Sequence, residues 1–163
     1  MSLPKRPPGF TADPMFGRDL RAVYGTGDGR FENLDLDVEE APAPLGLRRG
    51  VDSITGVDNA MQAVIHRIKT RMGELAPLGH PEYGSRHHDL IGQPNSAHNR
   101  NLVKLYILQA LAREPRIEEV LSAKIDFDPQ RDRDTVNLNL SLQLMGSPVP
   151  ANLVVPFSFA SAT

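Results

Sequence analysis

Ten residues near the C-terminal end decide the fold, and residues 135–144 read Thr-Val-Asn-Leu-Asn-Leu-Ser-Leu-Gln-Leu. Apolar side chains occupy every second position from Val136 to Leu144, and polar side chains fill the positions between them. Because successive side chains of a strand point to opposite faces, this period of two predicts a strand with one leucine-rich face. That face has to be covered by other elements of the chain.

Two further strands are predicted on either side of this segment. Apolar residues alternate again over residues 120–127 and over residues 152–159, and turn-forming sequences at 128–132 and 146–148 separate the three segments. Pro156 indicates that the last strand lies at an edge, because proline has no N–H to donate to a central ladder. The C-terminal third is therefore predicted to be an antiparallel meander.

Two helices are predicted upstream of the meander. The first covers residues 57–72, and the second begins near residue 95 or 96 and ends at residue 113, before Pro115. The apolar stripe of the first helix consists of Val57, Met61, Val64, Ile65, Ile68 and Met72. The predicted fold class is α+β, with two main helices packed on a small antiparallel C-terminal sheet and an extended N-terminal arm.

The N-terminal part differs in composition from the rest. Residues 1–45 are rich in proline and glycine, and we interpret them as an extended arm that precedes a compact domain at residues 46–163. Within the arm, Leu34, Leu36 and Val38 alternate with acidic residues, which predicts a short strand that needs a sheet edge to join. The glycine-rich residues 25–29 are interpreted as a hinge, because no strand or Lys-Ser/Thr sequence accompanies them.

Composition excludes several classes of protein. The chain has 163 residues, with 18 Lys and Arg against 20 Asp and Glu, and no cysteine. A balanced charge argues against nucleic-acid binding, and the absence of cysteine excludes disulfides, thiolate zinc sites and thiol catalysis. Prolines 4, 7 and 8 interrupt the first residues, so we expect neither a signal peptide nor membrane insertion, and a protein made and used in soluble form.

Three carboxylates offer one route to catalysis. Glu74, Glu82 and Asp89 lie in a loop-rich stretch, and a glycosidase needs two such groups roughly 5 to 9 Å apart. Sequence spacing does not establish that separation. We prefer the interpretation that Glu74 makes a local cap or pair and that Asp89 is a solvated helix residue, and we keep the glycosidase as the alternative.

Histidines offer a second route, through a metal. His80, His87, His88 and His98 fall in one short window, but none of them forms the i, i+4 pair that places two ligands on one helix face. We therefore interpret them as surface or packing histidines, and we expect neither a metal nor a cofactor.

A corner at the end of the second helix is the remaining candidate. Glu114, Pro115 and Arg116 follow one another there. A proline that stops a helix makes the corner rigid, so the two charged side chains can project from it, and an arginine fork suits a partner carboxylate. The alternative is a surface corner with a local ion pair of little energetic value.

Several of these motifs occur together in one order. That order is Val-Asp-Ser-Ile-Thr-Gly-Val-Asp-Asn-Ala-Met-Gln-Ala-Val-Ile-His-Arg-Ile-Lys-Thr-Arg-Met-Gly-Glu-Leu at 51–75, His-Pro-Glu-Tyr-Gly-Ser at 80–85, Asp-Leu-Ile-Gly at 89–92 and Glu-Pro-Arg at 114–116, followed by amphipathic strands. Residues 50–145 thereby resemble the W-like baseplate wedge family of contractile phage tails, which is also described as lysozyme-like. Relatives of that family occur in type VI secretion systems and extracellular contractile injection systems.

The resemblance implies a structural role and no enzymatic activity. Members contact the other wedge subunits and lie near tube and hub proteins, in sixfold symmetry, in the baseplate of a particle assembled in the bacterial cytoplasm. Glu114, Pro115 and Arg116 would then dock on the wedge core. Leu34, Leu36 and Val38 are the candidate strand exchanged with the tail sheath, and the third C-terminal strand is the other candidate edge for sheath initiation.

Overall fold

A computed structural model describes residues 16–24, 34–36, 38–39, 50–51, 53–130 and 132–161. The chain divides into two compact units, Met1–Gln62 and Ala63–Thr163, with the boundary inside the first helix. The predicted boundary between residues 45 and 46 lies outside the described residues.

Short strands make up most of the described part of the first unit. In chain order they are β1 (Arg18–Leu20), β2 (Ala22–Tyr24), β3 (Leu34–Leu36), β4 (Val38–Glu39), β5 (Gly50–Val51) and β6 (Ser53–Thr55). Strand β1 pairs with β6, β2 with β3 and β4 with β5, all antiparallel. The single strand predicted around Leu34 and Val38 is thus two short strands, and each satisfies backbone groups with a partner in the same chain.

Two α-helices form as predicted. Helix α1 covers Gly56–Lys69 and α2 covers Ala97–Leu111. Short 3-10 helices lie between them at Ala76–Leu78 and Arg86–Leu90. The Ser96 hydroxyl accepts a hydrogen bond from Asn99 N–H at 3.1 Å and caps α2. None of the helices in the described ranges is long and apolar enough to cross a membrane.

Helix α1 ends three residues earlier than the apolar stripe predicts. The carbonyl of Thr70 accepts from Ser85 N–H at 2.9 Å, and Met72 N–H donates to the Ser85 carbonyl at 3.1 Å. Arg71 and Ser85 thereby form a parallel bridge. Backbone groups that would extend the helix are bonded to this distant segment instead, so the helix stops at Lys69.

The C-terminal sheet has three antiparallel strands in the order β7 (Ile117–Asp126), β8 (Thr135–Leu144) and β9 (Ala151–Ser158). The predicted meander is confirmed, and so is the edge position of the strand that holds Pro156. Strand β8 is central, and its apolar positions are buried on one face as the alternation predicts.

The core of the second unit lies between this face and the helices. Val64 and Ile68 from α1, and Val103 and Ile107 from α2, join the same buried cluster as the apolar side chains of β8. The β8 members of the cluster are Val136, Leu138, Leu140 and Leu142. The α+β class with helices packed on a small sheet is therefore confirmed.

Candidate docking corner

The corner after α2 is a β-turn that leads directly into β7. Ile117 N–H donates to the Glu114 carbonyl at 3.1 Å, so residues 114–117 form the turn and Pro115 occupies its second position. Proline is favoured there because its ring already holds the φ angle that the turn needs. Met145 N–H donates to the Arg116 carbonyl at 2.9 Å, which ties the turn to the end of β8.

Glu114 faces inward from this turn. Its side chain is 4% exposed, and Oε2 accepts a hydrogen bond from Arg67 Nε–H at 2.9 Å. Oε1 lies 3.4 Å from the backbone N–H of Arg116 and 3.8 Å from its Nε. The expectation that the glutamate projects from the corner was wrong, because a buried arginine neutralises the carboxylate within the chain. Its part in wedge docking stays a prediction.

Arg67 connects the corner to α1 and to the loop before the second 3-10 helix. Its side chain is 11% exposed, and its guanidinium carbon lies 4.4 Å from the centre of the Tyr83 ring. A guanidinium over an aromatic face is attracted by the electron-rich ring. Burial raises the pKa of the Tyr83 hydroxyl above its ordinary value, and the positive charge of Arg67 opposes that rise.

The outer part of the corner carries the remaining charges. Pro115 is exposed, and the side chain of Arg116 is about one-third exposed. Arg113 lies beside them and donates from Nη1 to the Glu82 carbonyl at 3.1 Å, with the Glu82 carboxylate 3.9 Å away. Both side chains of that outer pair face solvent.

Gly84 fixes the position of Tyr83 by close approach to the end of α1. It has a φ of +102°, and a Cβ there would lie 2.6 Å from the Thr70 carbonyl oxygen. Only glycine allows this backbone to pass so near. The neighbouring Ser85 is fully buried, and its hydroxyl lies 3.3 Å from the Tyr106 carbonyl, to which it donates.

The histidines beside this segment are packed between the elements. His87 Nδ1 lies 2.8 Å from Ser85 Oγ, and His88 Nε2 lies 3.0 Å from the Ile68 carbonyl oxygen. Burial, with a smaller effect of His88, lowers the pKa of His87 to about 3. Burial also lowers the pKa of His88, against the hydrogen bond to Ile68. Across the described ranges, no group of three or more His, Cys, Asp or Glu side chains is placed to hold a metal ion.

The three carboxylates of the glycosidase alternative each have a local contact. Glu74 Oε2 accepts from Arg71 N–H at 3.0 Å, at the turn that follows α1. The Asp89 carboxylate lies 3.7 Å from Arg86 and is half exposed, and the Glu82 side chain is 80% exposed. A glycosidase keeps its acid protonated in an apolar environment, and none of these side chains lies in one.

The predicted sheath strand lies in the first unit. Leu34 and Leu36 belong to β3, whose backbone pairs with Tyr24 and Ala22. Val38 belongs to β4 and pairs with Val51. Exchange of this segment with another chain stays a prediction.

Sequence reasoning missed Arg67 and Tyr83 as parts of the corner. A signal for Arg67 was present, because it follows Val64 by three positions and precedes Ile68, at the border of the buried stripe of α1. A charged residue at that border needs a partner. Nothing in the sequence indicates that the partner is Glu114, which is 47 residues away.

Comparisons with known proteins bear on the fold. No family model matches the chain, and no curated protein matches it. Among solved structures, the chain is similar to one from Geobacter sulfurreducens described as a "putative tail lysozyme", with a TM-score of 0.55 and 20% identity. The match covers 65% of this chain and 93% of the Geobacter chain. The similarity concerns the fold, which this chain shares with nearly the whole of that protein.

Proposed function

We propose that this chain is a structural baseplate wedge component of a contractile tail or injection machine. In this role it links the wedge core to the sheath and nucleates sheath assembly by pairing strands between chains. The observation that carries the proposal is the similarity of fold to nearly the whole Geobacter chain, whose name refers to a tail. The order of motifs over residues 50–145 supports it independently.

The corner supports a docking role. A β-turn with proline at its second position is bonded to β8, and the adjoining glutamate is held by a buried ion pair. Such a turn loses little conformational entropy when a partner binds, because its geometry is already fixed. Pro115 and Arg116 then offer a rigid surface to the helical core of the wedge.

The sheet supports a role in strand pairing. Strand β7 has register shifts at two places, and bulges of this kind hinder the addition of another strand. Strand β9 pairs with β8 over eight consecutive residues without a shift, from Ser158 to Ala151. We therefore prefer the outer edge of β9 for the sheath, where backbone hydrogen bonds on the part of β9 before Pro156, which has no N–H to donate, would supply affinity without a pocket.

The first experiment determines whether the chain belongs to a particle. Large particles are purified by sedimentation from the producing cells, and this chain is quantified by mass spectrometry against the most abundant co-sedimenting protein. We expect a small fixed ratio to a sheath-like major protein, in keeping with several copies, six or a multiple of six, in each particle. Absence from every particle would refute the wedge assignment and favour a free adaptor in the cytoplasm.

A second candidate function is cleavage of peptidoglycan. The name of the Geobacter protein favours it, and Glu74 with Glu82 or Asp89 would be the carboxylates. Purified protein is incubated with cell-wall glycan, and release of soluble sugar is compared between the wild type and Glu74→Gln. Turnover that Glu74→Gln abolishes would establish the enzyme, whereas equal background release would leave the structural role.

A further inference from the structure

We infer that Glu114 is an internal anchor of the docking corner, that Arg67 positions it, and that Arg116 is the residue that contacts a carboxylate of the partner. The inference rests on the proposed function and divides the corner into an inner ion pair and an outer contact. It assigns to Arg67 a role that the corner sequence alone does not contain.

The first argument is the burial of Glu114. Its side chain is 4% exposed, and each carboxylate oxygen already has a donor inside the chain, Arg67 Nε–H for Oε2 and Arg116 N–H for Oε1. Because the side chain is buried, a partner could reach this carboxylate only by displacing the side chains around it, and Arg67 is one of them. Breaking a buried ion pair leaves an uncompensated charge, which strongly disfavours such a contact.

The second argument is that Arg67 is itself held in place. It projects from α1, and its guanidinium carbon lies 4.4 Å from the centre of the Tyr83 ring while Nε binds Glu114. Gly84 in turn lets the loop that carries Tyr83 approach the end of α1. The orientation of Glu114 is therefore fixed from a helix and a loop that are distant in sequence.

The third argument is the exposure of Arg116. Its side chain is 32% exposed, and its Nε lies 3.8 Å from Glu114, beyond hydrogen-bond distance. Within the described ranges, its guanidinium makes no other ion pair and no hydrogen bond. A planar guanidinium with unused donors on a partly exposed turn suits a bidentate contact with a carboxylate. The partner is accordingly an acidic side chain on the segment that meets Pro115.

The test replaces the inner pair by apolar side chains. Arg67→Met and Glu114→Leu are made singly and together in full-length protein, with Arg116→Glu as the outer variant. Each single inner variant should lower the urea midpoint of the isolated protein. The double variant should regain most of the lost stability, because a buried ion pair can be replaced by apolar groups. Arg86→Met is the matched control, since Arg86 also lies over a tyrosine, Tyr106, but outside the corner.

Incorporation into particles is then measured in producing cells that lack the native chain. The folded double variant and Arg86→Met should be incorporated within about twofold of wild type. Incorporation of Arg116→Glu should be at least about tenfold lower than that of wild type, as expected for a central charged contact. Glu114→Gln is a second inner variant that keeps an acceptor for Arg67, and it should also be incorporated like wild type.

The outcomes separate the inference from the proposed function. Loss of the folded double variant or of folded Glu114→Gln from particles would show that Glu114 contacts the partner directly, and would overturn the inference. Normal incorporation of Arg116→Glu would overturn the outer contact. Absence of the wild-type chain itself from particles would instead refute the proposed function.

Discussion

Acid should destabilise this protein through His87. Burial, with a smaller effect of His88, lowers the pKa of His87 to about 3 in the folded state, whereas an unfolded histidine has a pKa of about 6.5. Between these values the unfolded chain binds a proton that the folded chain does not, so stability falls as the pH falls through this range. The loss approaches about 1.4 kcal/mol per pH unit, or about 5 kcal/mol over the whole range.

The cause of this effect can be isolated with one substitution. Asparagine at position 87 can keep the hydrogen bond to Ser85 but does not titrate, so His87→Asn should lose less stability on acidification. Between pH 6 and pH 5 we expect the wild type to lose about 1.2 kcal/mol more than this variant, from the linkage between proton binding and folding. His98→Asn is the matched control, because His98 is exposed on α2.

The assay is urea unfolding followed by far-ultraviolet circular dichroism at several pH values from 7.5 to about 4.5, the range over which an unfolded histidine becomes charged. Carboxylates contribute to the pH dependence of the unfolding free energy in every variant, and that contribution cancels when each variant is compared with wild type. Equal slopes for wild type and His87→Asn would refute the reasoning, since they would mean that the buried imidazole binds its proton as readily as in the unfolded chain.

Three further predictions concern stability and are read from the same urea unfolding at pH 7.5. Gly84→Ala should cost about 2 to 4 kcal/mol because its Cβ meets the Thr70 carbonyl, whereas Gly73→Ala, also at positive φ but in open space, should cost only about 1 kcal/mol; equal losses would contradict the close approach. Leu142→Ala should cost about 3 to 4 kcal/mol because its side chain is fully buried, against less than about 0.5 kcal/mol for the half-exposed Val154→Ala, and similar costs would argue against the assigned faces of the sheet. Ser96→Ala should cost about 1 kcal/mol through loss of the cap on α2, and an unchanged midpoint would exclude the cap.

The sequence predicts the sheet well because its signal is local. The alternation in β8 requires only that one face be buried, and the buried residues are the ones that alternate. Pro156 likewise indicates an edge through the chemistry of a single residue. The end of α1 could not be predicted in this way, because the Thr70 carbonyl and the Met72 N–H are hydrogen-bonded to the backbone of Ser85, which lies outside the helix.

The direction of Glu114 could not be predicted for the same reason. A glutamate before a helix-stopping proline has a rigid backbone, but the side chain can turn outward to solvent or inward to a partner. The choice depends on Arg67. Its charge is buried at the border of α1, where little solvent reaches it, so it requires a carboxylate as a partner. Local pattern therefore identified the corner, and a long-range ion pair determines which part of it faces outward.

Four parts of the second unit meet at this corner, which affects how any assembly defect is interpreted. Arg67 comes from α1, Tyr83 from the loop, Glu114 from the end of α2, and the Arg116 carbonyl is bonded to Met145 at the end of β8. A substitution that removes an inner contact loosens several elements at once, so it can reduce incorporation without touching a partner. Arg116 should affect the fold less than the inner pair does, because its Nε lies 3.8 Å from Glu114, beyond hydrogen-bond distance. Stability of the isolated chain and incorporation into particles should consequently decline together for Arg67→Met and Glu114→Leu, whereas Arg116→Glu should lose incorporation with little loss of stability.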